Sequence, residues 1–289
     1  TGEASVARLS SRVLRARILF RLGRVEEAAD AAQALLEEEP HLDAALALAS
    51  RIRALQSGPA PEIAHLRQAL ADAPEPDRKV ETRLVLAGLL LSDNRRSEAV
   101  EVLETSQRPA FPERALLAEI LLEDGDLERA AALFETVLVE RPTAQGSRFA
   151  LAKIYRRLGR LDEALAQCEL LISIDGSDPA FYVERGLVHH RAERLAEAEA
   201  DYRRALSLDA TLPETHLNLA LIELATDRDA EAEEHLLRAV ELRPDYAKAH
   251  FHLARLYARR GDPRAGEHSE RAIRSGAPSQ APALEPGSR

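Results

Sequence analysis

The sequence predicts an all-α solenoid, an array of antiparallel helix hairpins that bury their faces against one another. Three observations predict it. Ala130, Ala164, Ala198 and Ala232 recur at intervals of 34 residues; a small residue stands twelve before each, at Ala118, Ala152, Gly186 and Ala220; and Val137, Leu171, Ala205 and Ala239 stand seven after each. Alanine is abundant in the chain, but three registers keeping step over four periods exceed what composition supplies. A period of 20 to 50 residues marks a repeat array, in which no unit buries its apolar face alone and stability comes from stacking.

Frames of this length open at Leu9, Asp43, Asp77, Phe111, Gln145, Pro179, Pro213 and Ala247, giving eight units that occupy residues 9–280. Residues 1–8 form an N-terminal extension. The frame at Asp43 carries Gly58-Pro59-Ala60-Pro61 where its two helices should turn. Proline removes a backbone donor and disfavours helix in the residue before it, so the preceding helix should be shortened there. In the frame at Asp77 the apolar signal of Leu86, Ala87, Leu90, Ala99 and Leu103 falls three residues late. The stretch 57–94 is therefore the expected irregular joint.

The frame at Gln145 is the most regular. Arg148, Leu151, Ala152 and Tyr155 follow the spacing of one helical face, and Leu161, Ala164, Leu165, Cys168 and Leu171 form a second stripe. Gly159 separates the two, as a glycine ending a helix does. Ile174-Asp175-Gly176 and Leu242-Arg243-Pro244 punctuate the passage to following units. Phe134, Tyr155, Tyr202 and Tyr257 fall on packing stripes and read as core, as do His189, His216 and His250. Residues 281–289 belong to a stretch with Pro278, Pro282 and Pro286 and no apolar period, and read as a disordered tail.

These positions resemble the tetratricopeptide repeat. The resemblance is carried by Arg148, Leu151, Ala152, Tyr155, Gly159 and Ala164 in one frame, and by His216, Leu219, Ala220, Ala232, Ala239 and Pro244 in another. The large Trp of the family pattern is absent from every frame. The resemblance implies a right-handed superhelix whose first helices line a concave groove. It also implies a protein-binding role without catalysis.

Composition narrows the function classes. The chain has a formal net charge of −10 and a pI near 5.5, which speaks against nucleic acid as a partner. The longest uncharged apolar run is Leu84 to Ser92, too short to span a membrane. Cys168 is the single cysteine and lies on a packing stripe, so it reads as a buried structural thiol. No Gly-rich phosphate loop, His-Glu-x-x-His, Cys-x-x-Cys or Gly-x-Ser-x-Gly occurs, and His189-His190 and His250-x-His252 lack the three- or four-residue spacing of a helical metal site. No enzyme activity, cofactor or metal is expected. The chain opens on Thr1 and contains no Met, and its basic residues are nearly all Arg. These features suit a processed product or a fragment from a GC-rich bacterium, with an envelope or periplasmic setting favoured over the cytoplasm.

The sharpest functional signal is charge on one helix face. The second, fifth, sixth, ninth, twelfth and thirteenth residues of each frame share the side of the first helix away from the packing stripe. In the last four frames that side holds Lys153, Arg156, Arg157, Arg191, Lys248, Arg255 and Arg259 with His190 and His252, against only Glu184 and Glu214. Phe149 and Phe251 lie there as possible anchors. Asn218 and Lys248 match two positions of the carboxylate clamp found in some relatives, whereas Val183, Leu187 and His252 depart from it. The expected partner is a protein or peptide with an extended acidic or carboxylate-bearing segment, gripped by Arg forks. Two other readings stay open: a structural module of a bacterial envelope or secretion complex, or the regulatory arm of a larger enzyme.

Overall fold

The computed structural model describes residues 2–73, 75 and 79–276. Among these residues sixteen helices occur and no strand. The chain divides into two compact units, residues 1–147 and 148–289. The first is built from α1 (Gly2–Arg21), α2 (Val25–Glu38), α3 (Asp43–Ser57), α4 (Pro59–Ala71), α5 (Val80–Ser92), α6 (Arg96–Glu104), α7 (Phe111–Asp124) and α8 (Leu127–Glu140). The second, which opens within the first turn of α9 (Gln145–Leu158), continues through α10 (Leu161–Ile174), α11 (Pro179–Arg191), α12 (Leu195–Leu208), α13 (Pro213–Ala225), α14 (Asp229–Leu242), α15 (Ala247–Arg259) and α16 (Arg264–Arg274). Each unit is a series of antiparallel helix hairpins, as the sequence predicts.

Helices begin where the period places them at Asp43, Phe111, Gln145, Pro179, Pro213 and Ala247. α5 begins at Val80, in keeping with the three-residue lag of the apolar signal; Asp77, where the period opens that frame, lies outside the described residues. α1 takes in residues 2–8 of the expected extension, and the tail at 281–289 also lies outside the described residues.

The hairpin turns repeat in atomic detail. Gly125, Gly159, Glu193, Asp227 and Gly261, each 34 residues after the last, all have positive φ. At each turn the next residue's N–H reaches back to the first helix: Asp126 to Leu121 O at 2.9 Å, Arg160 to Tyr155 O at 2.9 Å, Arg194 to His189 O at 2.9 Å, Arg228 to Glu223 O at 2.8 Å and Asp262 to Tyr257 O at 2.9 Å. Such bonds satisfy carbonyls that a helix end leaves open. At the joint, Gly58 alone (φ 85°, ψ 169°) turns α3 into α4. Pro59 and Pro61 stand in the first turn of α4, whose N–H groups have no helical acceptor in any case. The expectation that they shorten the preceding helix therefore fails, and α3 runs for 15 residues.

Packing follows the small-residue registers. Ala130, Ala164, Ala198 and Ala232 are fully buried. Tyr202 fills the α11/α12 contact, its ring against the backbone of Gly186, and is also fully buried. In unit 1, Arg83 of α5 is ion-paired with Glu113 of α7, both buried. The Glu113 carboxylate also accepts the Ala110 N–H at 2.7 Å.

Candidate partner-binding groove

Unit 2 presents the expected face on α9, α11, α13 and α15. Phe149 of α9 is half-buried and meets Phe181 of α11 edge to face, with ring centroids 5.5 Å apart. Lys153, one turn further on, holds its ammonium 4.0 Å from the Phe149 centroid, a cation–π contact. Phe149 thus joins two hairpins. Phe251 of α15 is half-buried, packs edge-on to His252 at 5.4 Å, and has the Arg255 guanidinium 5.8 Å above it.

The cations on this face are not equivalent. Arg156 Nε donates to Glu184 Oε1 at 2.6 Å and Nη2 to Oε2 at 3.3 Å. Glu184 is buried, so Arg156 is spent on linking α9 to α11 and does not present a free charge. Arg259 donates to Asp229 Oδ1 at 2.9 Å and is likewise engaged. The reading of a cationic face that few acids oppose needs correcting at these two positions. Burial of a carboxylate at Glu184 demanded a partner, and the sequence spacing did not show that Arg156 would be it. Arg157 is exposed at the end of α9. Lys153, Arg191, Lys248 and Arg255 form no ion pair among the described residues, although most neighbouring arginines do.

Arg255 stands over a concavity. Leu221, Leu224 and Ala225 of α13 with His252, Arg255, Leu256 and Arg259 of α15 line a depression of about 220 Å³. All but Leu256 occupy the frame positions assigned to the groove, so the structure does bring that face of adjacent first helices together. Its apolar floor was missed in the sequence, where attention to charge passed over Leu221 and Leu224 at positions nine and twelve of their frame. Asn218 is half-buried on the same helix. Burial, then the Arg255 charge, holds the His252 imidazole below its usual proton affinity, so that it offers a neutral ring. In unit 1 the same frame positions line a larger depression of about 490 Å³, with Leu14, Phe20, Ala44, Ala47 and Leu48 beside Arg21 and Arg51.

Family models described as tetratricopeptide repeat match residues 9–38, 121–182, 175–213 and 216–281. The chain belongs to the tetratricopeptide-repeat family. No curated protein matches it. Among solved structures, MamA 41-end from Desulfovibrio magneticus RS-1 aligns with a TM-score of 0.54 at 20% identity, covering 58% of this chain and 96% of that one. The APC/C hetero-tetramer Cut9–Hcn1 aligns with a TM-score of 0.57 at 18% identity, covering 93% of this chain and 53% of that one, so this tetratricopeptide-repeat chain spans about half the length of that neighbour. At such identities the likeness is one of fold.

Proposed function

We propose that this tetratricopeptide-repeat protein is a non-catalytic interaction scaffold whose unit 2 groove receives an extended acidic or carboxylate-bearing segment of another protein. The carrying observation is the set of unneutralised cations Lys153, Arg191, Lys248 and Arg255 on first helices of a chain whose net charge is −10. Arg255 beside the apolar floor of Leu221 and Leu224 suits a segment that alternates carboxylates with apolar side chains. Cys168 supports the non-catalytic reading: it is buried, and desolvation pushes its thiol up to about 12, far from a reactive thiolate. Among the described residues no helix is long and apolar enough to cross a membrane.

The test is fluorescence polarisation with a labelled ten-residue peptide of alternating Glu and Leu, and a Lys-for-Glu control. Binding should weaken as salt rises, since exposed charges are screened beyond about 8 Å at physiological ionic strength. Lys248→Glu with Arg255→Glu should cost about 1–3 kcal/mol in affinity while leaving Tm nearly unchanged. Arg156 is unsuitable for reversal, because a second carboxylate would face buried Glu184. Equal binding of both peptides, or an unaffected double variant, would remove the basis for the acidic segment.

A further inference from the structure

The last two hairpins each enclose a histidine pair. His216 of α13 and His235 of α14 approach with Nδ1 atoms 3.0 Å apart; His250 of α15 and His268 of α16 repeat the contact at 2.9 Å. The outer nitrogens of the first-helix rings are fixed, His216 Nε2 on Ala210 O at 3.2 Å and His250 Nε2 on Pro244 O at 3.0 Å. A carbonyl only accepts, so both of these nitrogens carry hydrogen. In a neutral ring the Nδ1 atoms of His216 and His250 are then acceptors, and the bond requires His235 and His268 to be the Nδ1–H tautomer. The ring centroids are 5.2 and 5.1 Å apart, close to the Nδ1 separation plus both ring radii. The rings thus point head to head along a hydrogen bond, rather than converging on a shared point to the side as chelating ligands would.

We propose that the two pairs are proton-sensitive clasps that hold the α13/α14 and α15/α16 hairpins closed when neutral and release them in acid. A pair can keep its bond with one added proton, on the free Nε2 of His235 or His268. A second proton at Nδ1 of His216 or His250 sets two N–H groups against each other and breaks the bond. The equivalent positions of the α9/α10 hairpin hold an arginine and an amide instead of two imidazoles: Arg148 Nη1 donates to Gln167 Oε1 at 2.8 Å. That hairpin is an internal control.

The surroundings set the sign. Burial first of all lowers the proton affinity of His216, His235 and His268 in the folded chain. An opened hairpin therefore takes up protons first. The stabilisation is whole above the ordinary histidine value of about 6.5 and is lost as pH falls below it. Facing the first pair are Glu223 of α13, with Oε1 3.6 Å from His235 Nε2, Glu234 and Arg238 of α14, and Glu199 and Arg203 of α12. Burial raises Glu223 to about 7, so its own protonation in the folded chain works in the opposite direction and blunts the response of that pair. The second pair faces the Tyr257 ring at 5.5 Å on α15, and Arg264, Glu267 and Arg271 on α16. No such carboxylate opposes the second clasp, so the response is read there.

α13 and α15 also carry Asn218, Lys248 and Arg255, so acid would loosen the proposed groove as well; this last consequence rests on that reading. The test uses the whole chain without any partner. Long-range ¹H–¹⁵N spectra at pH 7.5 should show Nδ1–H at His235 and His268, and Nε2–H at His216 and His250. Hydrogen exchange, corrected for intrinsic rate, should report opening of α15/α16 that rises between pH 7.5 and 5.0 by about tenfold for each unit by which the fold lowers a ring's pKa. α9/α10 should rise less. His268→Asn keeps an amide donor where Nδ1–H stands, and by turning that amide it can offer its oxygen to a protonated His250 Nδ1, so the bond survives acid and the rise should flatten. His216→Arg with His235→Gln, which copies Arg148 and Gln167, should do the same for α13/α14 if the first variant folds poorly. Wrong tautomers, or an acid response equal to wild type in a folded variant, would overturn the clasps. Loss of peptide binding at pH 7.5 with the exchange pattern intact would count only against the groove.

Discussion

The Gly186–Tyr202 contact allows a stability effect to be worked out from geometry. A Cβ placed on Gly186 would lie 2.6 Å from Tyr202 Cε1 and 2.9 Å from Cδ1. Both distances are far inside van der Waals contact. Tyr202 is fully buried and its hydroxyl has no hydrogen-bond partner among the described residues, so the ring has neither free space to swing into nor a bond that would draw it elsewhere. Gly186→Ala therefore sets two effects in opposition. Alanine in the interior of α11 should gain about 1 kcal/mol in helix propensity. Overpacking a filled site costs about 1–3 kcal/mol, and so short an approach belongs at the upper end. The net expectation is destabilisation by about 1–2 kcal/mol, read from urea unfolding at constant m-value. Adding Tyr202→Leu to Gly186→Ala should recover part of the loss, because Leu236 fills the equivalent site opposite Ala220 one period later. The cycle of the two changes should show a coupling of at least about 1 kcal/mol. A stabilised Gly186→Ala protein, or strictly additive changes, would refute the packing argument.

Further outcomes follow from single contacts. Glu193 and Asp227 hold positive φ of 59° and 57° at turns where Gly125, Gly159 and Gly261 stand in other hairpins. Glu193→Gly and Asp227→Gly should each stabilise by about 0.5–1 kcal/mol in thermal unfolding, and a loss instead would mean that the side chains contribute more than their strained backbone costs. Arg83→Met should destabilise by about 3–5 kcal/mol in the same assay, since it strands the Glu113 carboxylate in the interior, and a loss below about 1 kcal/mol would show that the carboxylate finds water.

Much of the fold was legible because the period of a repeat is a direct image of its packing. A small residue every 34 positions is needed wherever two helices approach closely, so Ala164 and Ala198 reveal helix contacts with no further information. The three-residue lag near Leu86 was legible for the same reason, and α5 begins late by that amount. Pro59 and Pro61 were misjudged because proline's effect depends on whether it falls inside a helix or at its first turn, and that is a matter of one or two residues. At the groove, helical periodicity placed Arg255, His252 and Leu221 on one face. It could not show which cations are neutralised, because the partners of Arg156 and Arg259 lie 28 and 30 residues away in sequence. The meeting of His216 with His235 was likewise invisible: His216 read as core, and no spacing along the chain ties it to His235, 19 residues on, until two helices bring the rings nose to nose.

The fit of Tyr202 against Gly186 bears on how the chain finds its own order. Near-identical hairpins invite mistakes during folding, since one unit can dock where its neighbour belongs or exchange with a second chain. In the α9/α10 hairpin the same two positions hold Ala152 and Cys168, and in α13/α14 they hold Ala220 and Leu236. A tyrosine brought against an alanine would clash, and a cysteine brought against the glycine would leave a void. The α11/α12 hairpin therefore carries a fit that its neighbours do not share, so that it is not interchangeable with units of the same length and outline.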